Sequence, residues 1–64
     1  MNEKLRDFLI EMNNLKEKYP ELRIGQIIWN ALGLFGRIRA PDGNVIFYIE
    51  DDDLLDLIRR YSRT

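Results

Sequence analysis

The chain has 64 residues, which is enough for one small domain, residues 1–64, and no more. Hydrophobic residues make up 45% and charged residues 33%, so the composition is that of a globular protein and not of a disordered one. Ten basic residues stand against eleven acidic ones, and the net charge of -1 argues against a general binder of polyanions.

Two absences from the sequence exclude most catalytic chemistry. The chain has no cysteine and no histidine, which excludes disulfides, thiolate nucleophiles, His-containing triads and the commonest zinc ligands. Ser62 and Thr64 are the only aliphatic hydroxyls, and both lie at the C-terminus, where chains fray. We therefore expect no enzyme, no metal site, no cofactor and no small-molecule substrate.

The sequence also lacks the signals of a membrane protein. No apolar run approaches the ~20 residues that a membrane-spanning helix needs. The first residues begin an amphipathic pattern and not the apolar core of a secretion signal. A cytoplasmic protein without membrane contact is the expectation.

Residues 2–18 predict a first helix. Asn2 is a suitable N-cap, and Pro20 ends the helix because proline disfavours a helical conformation at the preceding residue. The apolar residues recur at three- and four-residue steps and so share one face; they are Leu5, Phe8, Leu9, Met12, Leu15 and Tyr19.

Residues 22–33 predict a short second helix that is apolar around most of its circumference, which is typical of a central helix. Trp29 widens an apolar stripe that consists of Ile24, Ile27, Ile28, Ala31 and Leu32. The polar side chains Arg23, Gln26 and Asn30 share one narrow face. Gly25 lies inside the helix, where alanine would be more favourable by ~1 kcal/mol.

Residues 37–49 predict a β-hairpin. Its turn is Pro41-Asp42-Gly43-Asn44, in which proline presets the second turn position and glycine accepts a positive φ. Residues 45–49 are β-branched or aromatic and form the second arm, after a weaker first arm at residues 37–40.

Residues 50–62 predict a third helix, with acidic residues at its start and arginines at its end, as the helix dipole favours. Its N-cap is either Glu50, which would place Ile49 and Leu54 as a hydrophobic staple, or Asp51. The expected fold class is α+β, a single domain in the order α-α-β-β-α, with a two-stranded antiparallel hairpin packed on three helices. The expected core comprises Leu9, Met12, Ile28, Leu32, Phe47, Leu54 and Ile58.

Two segments resemble an uncharacterised family of short bacterial and phage proteins. The first is the Arg-x-Gly-Gln…Asn-Ala-Leu helix, present here as Arg23-Ile24-Gly25-Gln26 and Asn30-Ala31-Leu32. The second is the helix start Phe47-Tyr48-Ile49-Glu50-Asp51. The match covers roughly residues 19–58. The resemblance implies that Arg23, Gly25, Gln26 and Asn30 act as a unit, and it implies no activity.

The candidate interaction residues are Arg23, Gln26, Trp29 and Asn30. Trp29 is an aromatic anchor of the kind that interfaces favour, although it would serve equally as a core residue. The three polar residues either recognise a partner or bond within the fold. Arg23 lies unfavourably near a helix start, so we expect an acidic partner for it, Glu50 or Asp51.

A domain this small gains little stability from its own core, and it has no disulfide or metal to add to it. We therefore expect a protein–protein interaction module that self-associates as a homodimer or docks on a larger protein. The alternative is a nucleic-acid-binding protein with a winged-helix-like arrangement and an arginine face of Arg37, Arg39, Arg59, Arg60 and Arg63. The run Asp51-Asp52-Asp53 is interpreted as an acidic helix start and not as a metal site.

Overall fold

The computed structural model describes residues 1–34, 36 and 43–64, and within them it contains four α-helices and no strand. They are α1 (Glu3–Lys18), α2 (Ile24–Leu34), α3 (Gly43–Tyr48) and α4 (Asp51–Ser62). The three helices predicted from the sequence are confirmed as α1, α2 and α4, and their ends differ from the predicted ones by at most two residues.

The predicted α+β class is wrong, because residues 43–48 form α3 and not the turn and second arm of a hairpin. The first arm, residues 37–40, lies outside the described residues. The run from Val45 to Ile49 is apolar without alternation, so its periodicity cannot separate a buried strand from a helical turn. β propensity depends strongly on the surroundings of a residue and did not decide the conformation here.

Local hydrogen bonds define both ends of α1. The Asn2 side-chain oxygen accepts from the backbone N–H of Lys4 at 2.9 Å and of Leu5 at 3.2 Å, which confirms the predicted N-cap. At the other end the Tyr19 N–H donates to the Leu15 carbonyl at 2.8 Å. The Lys16 ammonium then donates to the Leu22 carbonyl at 2.6 Å and so fixes the turn that leads to α2.

Replacing Asn2 by alanine should lower the free energy of unfolding by about 0.5–2 kcal/mol, because two backbone donors lose their acceptor. Urea unfolding followed by circular dichroism measures the loss. Asn2→Asp is the control, since aspartate caps as well as asparagine does and should leave the stability within a few tenths of a kcal/mol. Equal losses in the two variants would contradict the capping role.

Helices α1 and α4 lie side by side and run in the same direction. Their N-terminal ends are joined by an ion pair between Lys4 and Asp52 at 3.1 Å. Their C-terminal ends are joined by a hydrogen bond from the Lys18 ammonium to the main-chain oxygen of Thr64. The two parallel helix dipoles repel each other. The ion pair and the hydrogen bond between the helix ends offset this unfavourable electrostatic free energy.

Helix α2 packs on both α1 and α4, and the three helices enclose one apolar core. The buried cluster consists of Met12, Leu15, Ile27, Ala31, Leu32, Leu57, Ile58 and Tyr61. Of the predicted core, Met12, Leu32 and Ile58 are confirmed as buried, whereas Ile28 and Leu54 are partly buried and pack against the cluster.

The predictions that Leu9 and Phe47 are core residues are wrong. Leu9 is 47% exposed and Phe47 is 79% exposed. Leu9 lies at the edge of the apolar stripe of α1, whose centre at Met12 and Leu15 takes the packing against the other helices. Phe47 lies on α3, which does not pack on the other three helices in the described part of the chain.

The start of α4 decides between the two predicted caps. Glu50 is the N-cap, with an extended backbone (φ -72°, ψ 150°), and its carbonyl accepts from the Leu54 N–H at 3.0 Å. Its side chain makes no capping bond. Ile49 and Leu54 hold the two positions of a hydrophobic staple around this cap, and both pack against the core. No helix among the described ranges has the length and apolar character needed to cross a membrane.

Candidate interaction site on helix α2

Helix α2 carries no charged residue from Ile24 to Leu34, in a chain of which one third is charged. One side of the helix is buried through Ile27, Ala31 and Leu32. The opposite side is exposed and is called the Trp29 face here; it comprises Gly25, Gln26, Trp29 and Gly33. The site is therefore an uncharged surface on a central helix.

Trp29 lies in the middle of this face, one helical turn from Gly25 and one from Gly33. Its side chain is 50% exposed, so Trp29 is not the fully buried core residue that the sequence also allowed. Within the described residues its indole makes no hydrogen bond and no ring contact. Trp29 is thus a large apolar side chain with half of its surface open to solvent.

Gln26 has a structural role at the start of α2. Its side-chain oxygen accepts from the backbone N–H of Arg23 at 2.7 Å. The Arg23 carbonyl in turn accepts from the Ile27 N–H at 3.0 Å, which makes Arg23 the residue that precedes the helix. A glutamine three residues into a helix that bonds back in this way forms half of a capping box.

Asn30 links α2 to α4. Its amide nitrogen donates to the Tyr61 hydroxyl at 3.2 Å, and both residues are at least half-buried. The Tyr61 ring lies 5.5 Å from the Tyr19 ring in a tilted arrangement. Of the two predicted roles, the structure thus gives Asn30 a bond within the fold, to a residue 31 positions further along the chain.

The predicted acidic partner of Arg23 is wrong. Neither Glu50 nor Asp51 lies within 4 Å of its guanidinium, and no other carboxylate among the described residues does. The neighbouring Asp52 pairs with Lys4 instead, because α1 and α4 are parallel and bring their first turns together. Arg23 is exposed and contributes a free positive charge at one end of the Trp29 face.

A shallow cleft of about 460 Å³ lies on this face and is lined by Leu22, Gly25, Gln26, Trp29 and Asn30. Three of the four predicted interaction residues therefore line one cleft, and Arg23 does not. A Cβ atom added at Gly25 would meet nothing within 4 Å, and the same holds at Gly33. Packing among the described residues does not require either glycine, and glycine is less favourable than alanine in a helix interior by ~1 kcal/mol.

Sequence reasoning missed two apolar surfaces. Ile46, Phe47 and Tyr48 are exposed on α3, with the two rings in edge contact at 4.9 Å. A groove of about 410 Å³ lies between the first turns of α1 and α4; its apolar lining residues are Leu5, Phe8, Leu54 and Leu55. Both surfaces depend on how the helices pack, because an apolar sequence pattern does not show which residues lack a packing partner.

The predicted arginine face is partly neutralised. Arg59 pairs with Asp7 at 3.3 Å, and Arg60 pairs with Asp56 at 3.0 Å. Arg37 and Arg39 lie outside the described residues. No group of three or more acidic side chains in the described ranges is arranged to hold a metal ion.

No protein-family model, no curated protein and no solved structure matches the chain. The resemblance of residues 19–58 to short bacterial and phage proteins therefore stays a prediction. The structure adds that Gly25, Gln26 and Asn30 of the shared pattern line one cleft, and that Arg23 is joined to them through its backbone N–H.

Proposed function

We propose that this protein is a cytoplasmic protein–protein interaction module that binds its partner through the Trp29 face and has no catalytic activity. The observation that carries the proposal is the half-exposed Trp29 at the centre of an uncharged helix face. Interfaces deplete charge at their centre and are enriched in tryptophan. The cytoplasmic location rests on the sequence pattern alone.

The free energy available at Trp29 is large enough for this function. A tryptophan side chain buries up to ~250 Å², so half of it, at ~25 cal/mol per Å², corresponds to about 3 kcal/mol. A residue that contributes about 2 kcal/mol or more to binding ranks as a hot spot. The exposed half of the side chain, left in water, contributes nothing to the stability of the monomer.

Nucleic-acid binding, the alternative from the sequence, receives less support. Two of its five arginines are paired with carboxylates, which lowers the positive potential available to phosphates. The second arm of the predicted wing is helical, and the face of α2 that would enter a groove of DNA has no base-reading arginine or lysine.

A photocrosslinking amino acid placed at Gly33 tests the proposal in cells of the natural source. Gly33 lies on the Trp29 face, and its Cβ position is open. We expect a crosslinked adduct of discrete mass on an immunoblot. The same crosslinker at Asn14, an exposed position on α1, should give none.

The control for this experiment is Trp29→Ser in the chain that carries the crosslinker at position 33. Loss of the Trp29 anchor should abolish the adduct, because the crosslinker alone supplies no binding surface. Absence of an adduct with Trp29 intact, or an adduct that is unchanged by Trp29→Ser, would contradict the proposed function.

A further inference from the structure

We propose that the partner is a second copy of this chain, in which the two α2 helices pack antiparallel and each Trp29 enters the cleft above Gly25 of the other copy. This inference rests on the proposed function and names the occupant of the same face. Twofold dimers are the commonest protein assembly, and their contact uses one surface patch twice.

The charge distribution favours a second copy over an unrelated partner. Near a twofold axis a charged residue meets its own duplicate, and like charges across an interface are repulsive. A face that binds itself must therefore be free of charge at its centre. Helix α2 meets this condition and contrasts with the ion-paired surfaces of α1 and α4. A different partner could instead match a charged centre with opposite charges, so the condition is stricter for a second copy.

The spacing of Gly25 and Trp29 makes the contact self-complementary. The two residues are four apart, so they lie one above the other on the same face of α2. When the axis passes midway between them, Trp29 of each copy lies opposite Gly25 of the other, and both contacts form at once. The exposed Arg23 residues of the two copies then lie about 12 Å apart along the helices, at 1.5 Å per residue.

Gly25 supplies the floor of the cleft. A Cβ there would meet nothing within 4 Å in the described part of the chain, so the open space above it belongs to the surface and not to the core. A side chain at this position would fill the space that the partner's indole enters. A glycine that disfavours the helix and serves no internal contact is explained when another backbone or ring approaches it closely.

Two polar atoms of the cleft keep their hydrogen bonds when it is covered. The Gln26 side-chain oxygen already accepts from the Arg23 N–H, and the Asn30 amide already donates to the Tyr61 hydroxyl. Burial of a polar group costs little when its hydrogen bond is retained. These two atoms therefore need no matching polar group from the partner.

The size of the face predicts a weak dimer. Helix α2 has 11 residues and is about 16 Å long. Two helices of this length bury less than the ~800 Å² per partner of a standard interface. We therefore expect a dissociation constant in the micromolar range, with the monomer dominant at low concentration.

Sedimentation velocity from 1 µM to 1 mM measures the monomer–dimer equilibrium. The unmodified chain should dimerise, and Gly25→Leu should weaken dimerisation at least tenfold. Asn14→Leu is the control, because it also adds an exposed leucine to a helix but lies on α1, outside the Trp29 face. It should change the dissociation constant less than threefold. Circular dichroism should show both variants folded.

A monomer at every concentration would overturn the inference, as would equal effects of the two leucine variants or a larger effect of Asn14→Leu. Its failure is distinguishable from failure of the proposed function. A monomeric chain that crosslinks from position 33 to a different polypeptide overturns the second copy and leaves the interaction module standing. A monomeric chain without any adduct overturns both.

Discussion

We expect that replacing Ile58 by alanine unfolds a large fraction of the protein at room temperature. Ile58 is fully buried in the cluster formed by α1, α2 and α4. Truncating such a side chain removes its transfer free energy and leaves a cavity, at a cost of about 2–5 kcal/mol. A single core in a chain of this size supplies only about 3–5 kcal/mol in total, so the loss approaches the whole stability. Urea unfolding followed by circular dichroism measures it.

Leu9→Ala is the control for this experiment. Leu9 lies on the apolar stripe of α1 but is half exposed, so its truncation should cost less than about 1 kcal/mol. Both variants are measured at low micromolar concentration, where dimer formation contributes little. A cost at Leu9 equal to that at Ile58 would contradict the observed packing and restore the sequence prediction that Leu9 is a core residue.

The three long helices were predictable because their signals are local. The Asn2 side chain caps the N–H groups two and three residues ahead of it, and the ring of Pro20 restricts the residue before it. Such interactions do not depend on how the helices later pack. The apolar periodicity of α1, α2 and α4 spans at least eleven residues in each, which is enough to define the helical period.

The error at residues 43–48 has the opposite origin. Gly43 and Asn44 suit a turn, and the following apolar run suits a strand, but a strand becomes stable only with a partner strand to pair with. The sequence offers a weak first arm at residues 37–40 and therefore no strong partner. The prediction that Phe47 is buried depended on that pairing and is wrong with it.

The roles of the site residues were predictable only in part. The pattern grouped Gln26, Trp29 and Asn30 correctly on one side of α2. It did not identify Tyr61 as the partner of Asn30, because that contact depends on the packing of α4 against α2. It also predicted that Arg23 pairs with an acidic residue at the start of α4. In the structure α1 and α4 lie parallel, and Asp52 at that helix start pairs with Lys4 instead.

Tyr61 should be the most sensitive polar position in the protein. Tyr61→Ala removes a buried ring that stacks on Tyr19, and we expect a loss of about 3–5 kcal/mol, as for other large aromatic truncations. Tyr61→Phe keeps the ring and removes only the hydroxyl that accepts from Asn30, so its cost should be about 0.5–1.5 kcal/mol. Urea unfolding of the two variants separates the packing contribution from the hydrogen bond.

A double-mutant cycle isolates the hydrogen bond between α2 and α4. Asn30→Ala and Tyr61→Phe are made singly and together, and the difference between the summed and the combined losses is the coupling free energy. We expect about 0.5–1.5 kcal/mol, which is the usual net contribution of one side-chain hydrogen bond. Additive losses would show that the two side chains do not interact, and Asn30 would then be free to contact a partner across the cleft. Coupled losses assign Asn30 to the fold and leave Trp29 as the residue that binds.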